Sequence, residues 1–61
     1  MCIWEADYDY IEDSVVKSMT KSFQFECFYV HNAWNIALEK AIQYVNDHPD
    51  VVLTQLRMIA I

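Results

Sequence analysis

The sequence predicts an α+β fold: a small β-β-α-β layer in which one helix packs on a three-stranded, mainly antiparallel sheet of strand order 2-1-3. Three observations predict it. Residues up to about Val30 alternate at period two, the pattern changes to helical spacing after Asn32, and the chain beyond Pro49 returns to a β-rich apolar run. Sixty-one residues make one domain (1–61) at most, and a content of 56% apolar and 15% aromatic residues is too rich for disorder. A chain this short buries only about 60% of the surface its unfolded form exposes, so association with a partner or a second copy would add to its stability.

The first strand is Cys2 to Tyr10. Cys2, Trp4, Ala6, Tyr8 and Tyr10 fall on one side, an aromatic core face, and Ile3, Glu5, Asp7 and Asp9 on the other. Ile11-Glu-Asp-Ser14 supplies turn chemistry without glycine. The second strand then runs over 15–30, with Val15, Met19, Phe23, Phe25, Cys27 and Tyr29 on the apolar parity and Ser18, Thr20, Ser22, Gln24 and Glu26 on the other. Lys17 and Lys21 interrupt the apolar parity, where their stems can snorkel.

A four-residue loop from Glu12 to Val15 sets Tyr8 opposite Met19, Trp4 opposite Phe23 and Cys2 opposite Phe25, pairing large apolar side chains across the hairpin, whereas a two-residue loop at Glu12-Asp13 keeps the same faces and shifts the pairs by two. The same register lays the acidic side of the first strand across from hydroxyls. It leaves those carboxylates with no local cation.

Asn32 is a good N-cap for a helix over about 33–46. Trp34, Ala37, Leu38, Ala41 and Val45, flanked by Ile42 and Tyr44, form the stripe that should cover the sheet. Ile36 lies opposite, among Lys40, Gln43 and Asp47, and is a candidate contact residue. Asn46-Asp-His-Pro-Asp50 stops the helix, because Pro49 disfavours helical geometry at His48. The last strand, 51–61, is apolar on both parities: Val52, Leu56, Met58 and Ala60 against Val51, Leu53, Ile59 and Ile61. Both of its faces therefore ask for cover, and the sheet face away from the helix should carry Ile3, Leu53, Ile59 and Ile61 beside the acids.

The net charge is −5, and residues 1–13 hold Glu5, Asp7, Asp9, Glu12 and Asp13 with no base. Such a field repels nucleic acid and anionic membranes and attracts a basic surface. No apolar run approaches a membrane span, no signal segment is evident, and Met1 reads as a native start. Two cysteines fall short of a disulfide framework, so the expectation is a soluble cytoplasmic protein with reduced thiols. A bond from Cys2 to Cys27 would require a shifted register.

Catalytic chemistry finds little purchase. Cys2, Cys27, His31 and His48 are zinc-ligand types without zinc-site spacing. Cys27 as a nucleophile beside His31 or His48 sits on the core parity, where thiols are inert. Asp7 and Asp9 are about 6.6 Å apart along a strand, with no flanking cleft to raise a pKa. The absence of glycine excludes a Gly-rich phosphate loop. No cofactor or metal is expected.

Glu5, Asp7 and Asp9 repeat at about 6.6 Å, continued by Glu12 and Asp13, and a regular row of anions can imitate a phosphate backbone. The tract Glu5-Ala-Asp-Tyr-Asp-Tyr-Ile-Glu-Asp13, with the small size and the lack of catalytic motifs, resembles the short acidic inhibitors that bacteriophages make, such as anti-CRISPR and anti-restriction proteins. That resemblance implies a non-enzymatic module acting in the host cytoplasm, which blocks a basic, nucleic-acid-handling surface of a target protein without binding nucleic acid or membrane itself. The candidate partner-binding residues are Glu5, Asp7, Asp9, Glu12, Asp13 and Ile36. The alternatives are a homodimeric assembly protein using the last strand or the uncovered sheet face, and an enzyme built at a subunit interface.

Overall fold

The computed structural model describes residues 1–27 and 30–60, with backbone only for Val30 and His31. The chain forms β1 (Cys2–Glu12), β2 (Val15–Phe25), α1 (Val30–Asp47) and β3 (Val52–Ala60). Both β2 and β3 pair antiparallel with β1, giving one sheet of order β2-β1-β3. The expected α+β layer and strand order are the ones observed.

The hairpin register is also the expected one: Tyr8 faces Met19, Trp4 faces Phe23 and Cys2 faces Phe25. The strands extend further than Tyr10, however, to the pair Glu12↔Val15. Asp13 and Ser14 alone make the turn, at φ 53° and 64°. Two central residues in the left-handed region mark the type I′ geometry, whose twist matches that of the flanking strands. Aspartate tolerates that region better than serine does.

β2 stops at Phe25, short of Val30. Phe25 faces Cys2, the first residue of β1, and the ladder ends at that pair. The chain leaves the sheet there, and α1 begins at Val30, ahead of the expected start at Ala33. Asn32 thus lies inside the helix. Phe28 and Tyr29, placed on the second strand by alternation, lie outside the described residues, as does Ile61.

α1 lies over β1 and β3. Its buried ridge is Ala33, Ala37 and Ala41, at i, i+4 spacing, against Cys2, Trp4, Ala6 and Tyr8 of β1. The expected stripe is therefore rotated, and Trp34 is 46% exposed at its edge. The sheet supplies the bulk in the form of rings, and the helix supplies small side chains that let it come close. The fully buried Tyr8 donates its hydroxyl to the carbonyl of Ala41 at 2.9 Å, and its ring packs on Tyr44 at 4.9 Å. Burial raises the Tyr8 pKa, with the neighbouring Tyr44 adding to the shift.

β3 explains its own double parity. Tyr8↔Leu53 and Ala6↔Leu56 both lie on the helix side, because the register shifts by one residue between Asp7 and Tyr8 and leaves Thr54 as an inserted residue. A second shift falls between Ile3 and Trp4. Leu53 is consequently in the core, packed near Tyr8 and Val51, and not on the outer sheet face as its parity implied.

Candidate functional site

Parity fixes the outer sheet face: Ile3, Glu5, Asp7, Asp9 and Ile11 of β1 stand between the hydroxyl row of β2 and the polar residues of β3. Ser18 donates to Asp9 and Thr20 to Asp7, each at 2.7 Å, as the register requires. The acids are not left without cations, though. The Arg57 guanidinium reaches across from β3 and holds two of them, Nη1 to Asp7 at 2.6 Å and Nη2 to Glu5 at 2.8 Å. Arg57 is the registered partner of Glu5, brought to this face by the bulge at Thr54. Thr54 itself donates to the Asp7 carbonyl at 3.1 Å.

The electrostatics follow from those contacts. Hydrogen bonds from Arg57 and then Thr20 hold the Asp7 carboxyl below its ordinary value of 3.8. The Arg57 guanidinium is raised in turn, chiefly by its bond to Asp7. Two of the three regular anions are thereby partly neutralised, which corrects the expectation of an uncompensated row. The signal that could have revealed it is the order 2-1-3, which places the sole base of the last strand beside the acidic one.

Glu12 and Asp13 do not continue the row either. Even numbering puts Glu12 on the helix side, beyond the end of the helix, where it pairs with Lys17 at 3.1 Å, both groups being exposed. Asp13 occupies the turn. Among the described residues no cation pairs with Asp9 or Asp13. Ile36 is half-buried on the flank of α1 that faces β2, beside Glu39, Lys40 and Gln43 around a hollow of about 290 Å³. It is far from the acids and joins no surface with them.

The hairpin end collects features that alternation did not bring together. Ile11, Val16 and Val52 are 68%, 66% and 61% exposed, and with Asp9, Tyr10 and Asp50 they line an open groove of about 310 Å³. Ile11 faces Val16 directly, and Asp9 faces Val52. Apolar side chains and carboxylates thus line one groove together. The sequence singles out neither: Val16 falls on the polar parity of the second strand, and Val52 on the parity of the last strand assigned to the helix side, whereas its pairing with Asp9 puts it on the outer face.

The thiols are also not as expected. Cys2 and Cys27 are joined in a disulfide, with Cα atoms 5.9 Å apart. No shifted register is needed, because β2 ends at Phe25 and the chain turns back over the start of β1. A bonded Cys27 has no thiolate to offer for nucleophilic attack or metal binding. Among the described residues no three His, Cys, Asp or Glu side chains are grouped to hold a metal ion. Among the described residues no helix is long and apolar enough to cross a membrane.

No family model, curated protein or solved structure matches this chain.

Proposed function

We propose that this chain is a non-enzymatic protein-binding module whose acidic hairpin end and adjoining outer face engage a basic surface of another protein. The observation that carries the proposal is the open groove lined together by Asp9, Asp50, Ile11, Val16 and Val52. Exposed aliphatic side chains of this kind are costly on a domain with so little core, and carboxylates that meet no cation among the described residues suit lysine or arginine side chains, whose stems are apolar and whose ends are cationic. The finer form of the proposal is an inhibitor of the bacteriophage kind, occupying a nucleic-acid-handling surface in the cytoplasm. The size, the acidity and the outer-face anions support it. Where the protein meets a reducing compartment, its disulfide would be exposed to thiol exchange.

The test is capture of a partner from bacterial lysate by immobilised wild type and by the double variant Asp9→Lys/Asp50→Lys, each at low and high salt. A partner held by wild type at low salt, released at high salt and not held by the variant is the expected result. The variant should keep the wild-type circular dichroism, since neither side chain is in the core. Equal retention by both forms would remove the proposal.

A further inference from the structure

We infer that Cys27 is a site of modification by small-molecule thiols, which open the Cys2–Cys27 bond at the Cys27 sulfur and release Cys2 into the core. The two joined cysteines are placed unequally. Cys2 is fully buried, in one cluster with Trp4, Ala33 and Ala37. It belongs to β1, the central strand of the sheet, and faces Phe25. Cys27 lies beyond the end of β2, is partly exposed, and packs against the same cluster.

Thiol exchange is a displacement at sulfur, and access decides which sulfur is attacked. Cys2 has no surface open to solvent, so an incoming thiolate could reach it only after the cluster with Trp4, Ala33 and Ala37 had opened. Cys27 is reached from solvent with the fold intact. A small-molecule thiolate therefore bonds to the Cys27 sulfur, the Cys2–Cys27 bond breaks, and its electron pair leaves on Cys2. Cys2 takes a proton from water. The products are a mixed disulfide at Cys27 and a neutral thiol at Cys2, and a second thiol then removes the small molecule as its own disulfide and leaves both cysteines reduced.

The apolar setting of Cys2 gives the adduct its lifetime. Such surroundings disfavour a thiolate, and only the thiolate attacks a disulfide, so Cys2 is slow to displace the small molecule and reclose the bond. The same setting makes Cys2 a slow leaving group; opening is gradual in both directions. Opening also removes the tie between the start of β1 and the chain that enters α1. At that end of the helix the buried ridge is Ala33 and Ala37, two small side chains, whereas the far end is anchored by the Tyr8 hydroxyl on the Ala41 carbonyl. Thiolation of Cys27 thereby couples the stability of the fold to the thiol content of its surroundings.

Glutathione is the probe. The intact oxidised chain is treated in native buffer, stopped in acid at early times, blocked with N-ethylmaleimide and mapped by mass spectrometry. The expected singly modified product carries glutathione on Cys27 and maleimide on Cys2, in at least about tenfold excess over the reverse product. The adduct isolated without the maleimide block should melt as low as the fully reduced chain. Equal amounts of the two products, an excess of the reverse one, an adduct that forms only in urea, or an adduct as stable as the oxidised chain would each overturn the inference. Single-thiol variants give a second reading: Cys27 in Cys2→Ala should exchange with oxidised glutathione at least about tenfold faster than Cys2 in Cys27→Ala, and the two should react alike in urea. Equal rates in native buffer would contradict the assignment. None of these readouts involves a protein partner, so this inference and the proposed binding function fail separately.

Discussion

The two ends of β1 carry the same alternation and meet different fates. From Cys2 to Tyr8 every even residue is buried, under the alanine ridge of α1 and beside the Cys2–Cys27 bond, whereas from Ile11 onward the strand is exposed on both sides. Length accounts for the difference. An 18-residue helix spans about 27 Å at 1.5 Å per residue, and an 11-residue strand about 36 Å, so one helix cannot cover the whole hairpin. Period-two alternation marks which side chains share a face, and only the covering element decides whether that face is core. The covered end holds the fold, and the bare end is free to bind.

If that division is right, substitutions should grade along β1. Trp4→Ala, at the covered end, should cost about 3–5 kcal/mol by cavity formation, enough to unfold a domain of this size; a loss under 1 kcal/mol in a urea melt would break the comparison. Reducing the Cys2–Cys27 bond, which closes a sequence separation of 25, should cost about 3 kcal/mol through the freed unfolded chain. Thermal melts with and without reductant would show a large fall in Tm, and an unchanged Tm would place the stability elsewhere.

The outer face between the two ends should answer to pH. Asp7 is held below its ordinary value of 3.8 by Arg57 and Thr20, so the stability it contributes is present above that value and drains away as pH falls through the lower folded one. Arg57→Ala should flatten the dependence of Tm on pH in this acid window, and the wild-type profile retained in the variant would contradict the assignment. At the bare end the effects should be small or favourable. Ser14→Gly, relieving a serine at φ 64°, should stabilise by about 0.5–1 kcal/mol, and Val16→Ala, at an exposed site, should shift stability by less than about 0.5 kcal/mol. A large loss from Val16→Ala would mean that the hairpin end is structural after all.

The hairpin register was legible because pairing Trp4 with Phe23 and Tyr8 with Met19 leaves few alternatives, and the strand order followed from the helical return. Other features were not legible, for separate physical reasons. A bulge adds a residue without changing composition, so a shifted parity in β3 reads as two apolar faces, and Arg57 goes unnoticed as the clamp on Glu5 and Asp7. The disulfide was hidden by an inference about compartment and by carrying the second strand past Phe25, which keeps Cys27 away from Cys2 unless the register shifts. The helix ridge was misplaced by favouring Trp34 over Ala33, when the rings of Trp4 and Tyr8 had already filled the space beneath it. For the candidate site, Asp9 was legible as an acid on an open face; its apolar neighbours Val16 and Val52 come from two strands that only the fold brings together.

Thr54 has one more consequence, for what change the gene can tolerate. Gln55 and the residues after it alternate regularly with Leu53 once Thr54 is skipped, so loss of this single codon would close the bulge and leave Leu56 inward and Arg57 outward. Replacing the threonine with another side chain leaves the phase intact. Variation at this position should therefore include loss of the residue as well as substitution, the deletion forfeiting only the local twist and the Thr54 bond to the Asp7 carbonyl.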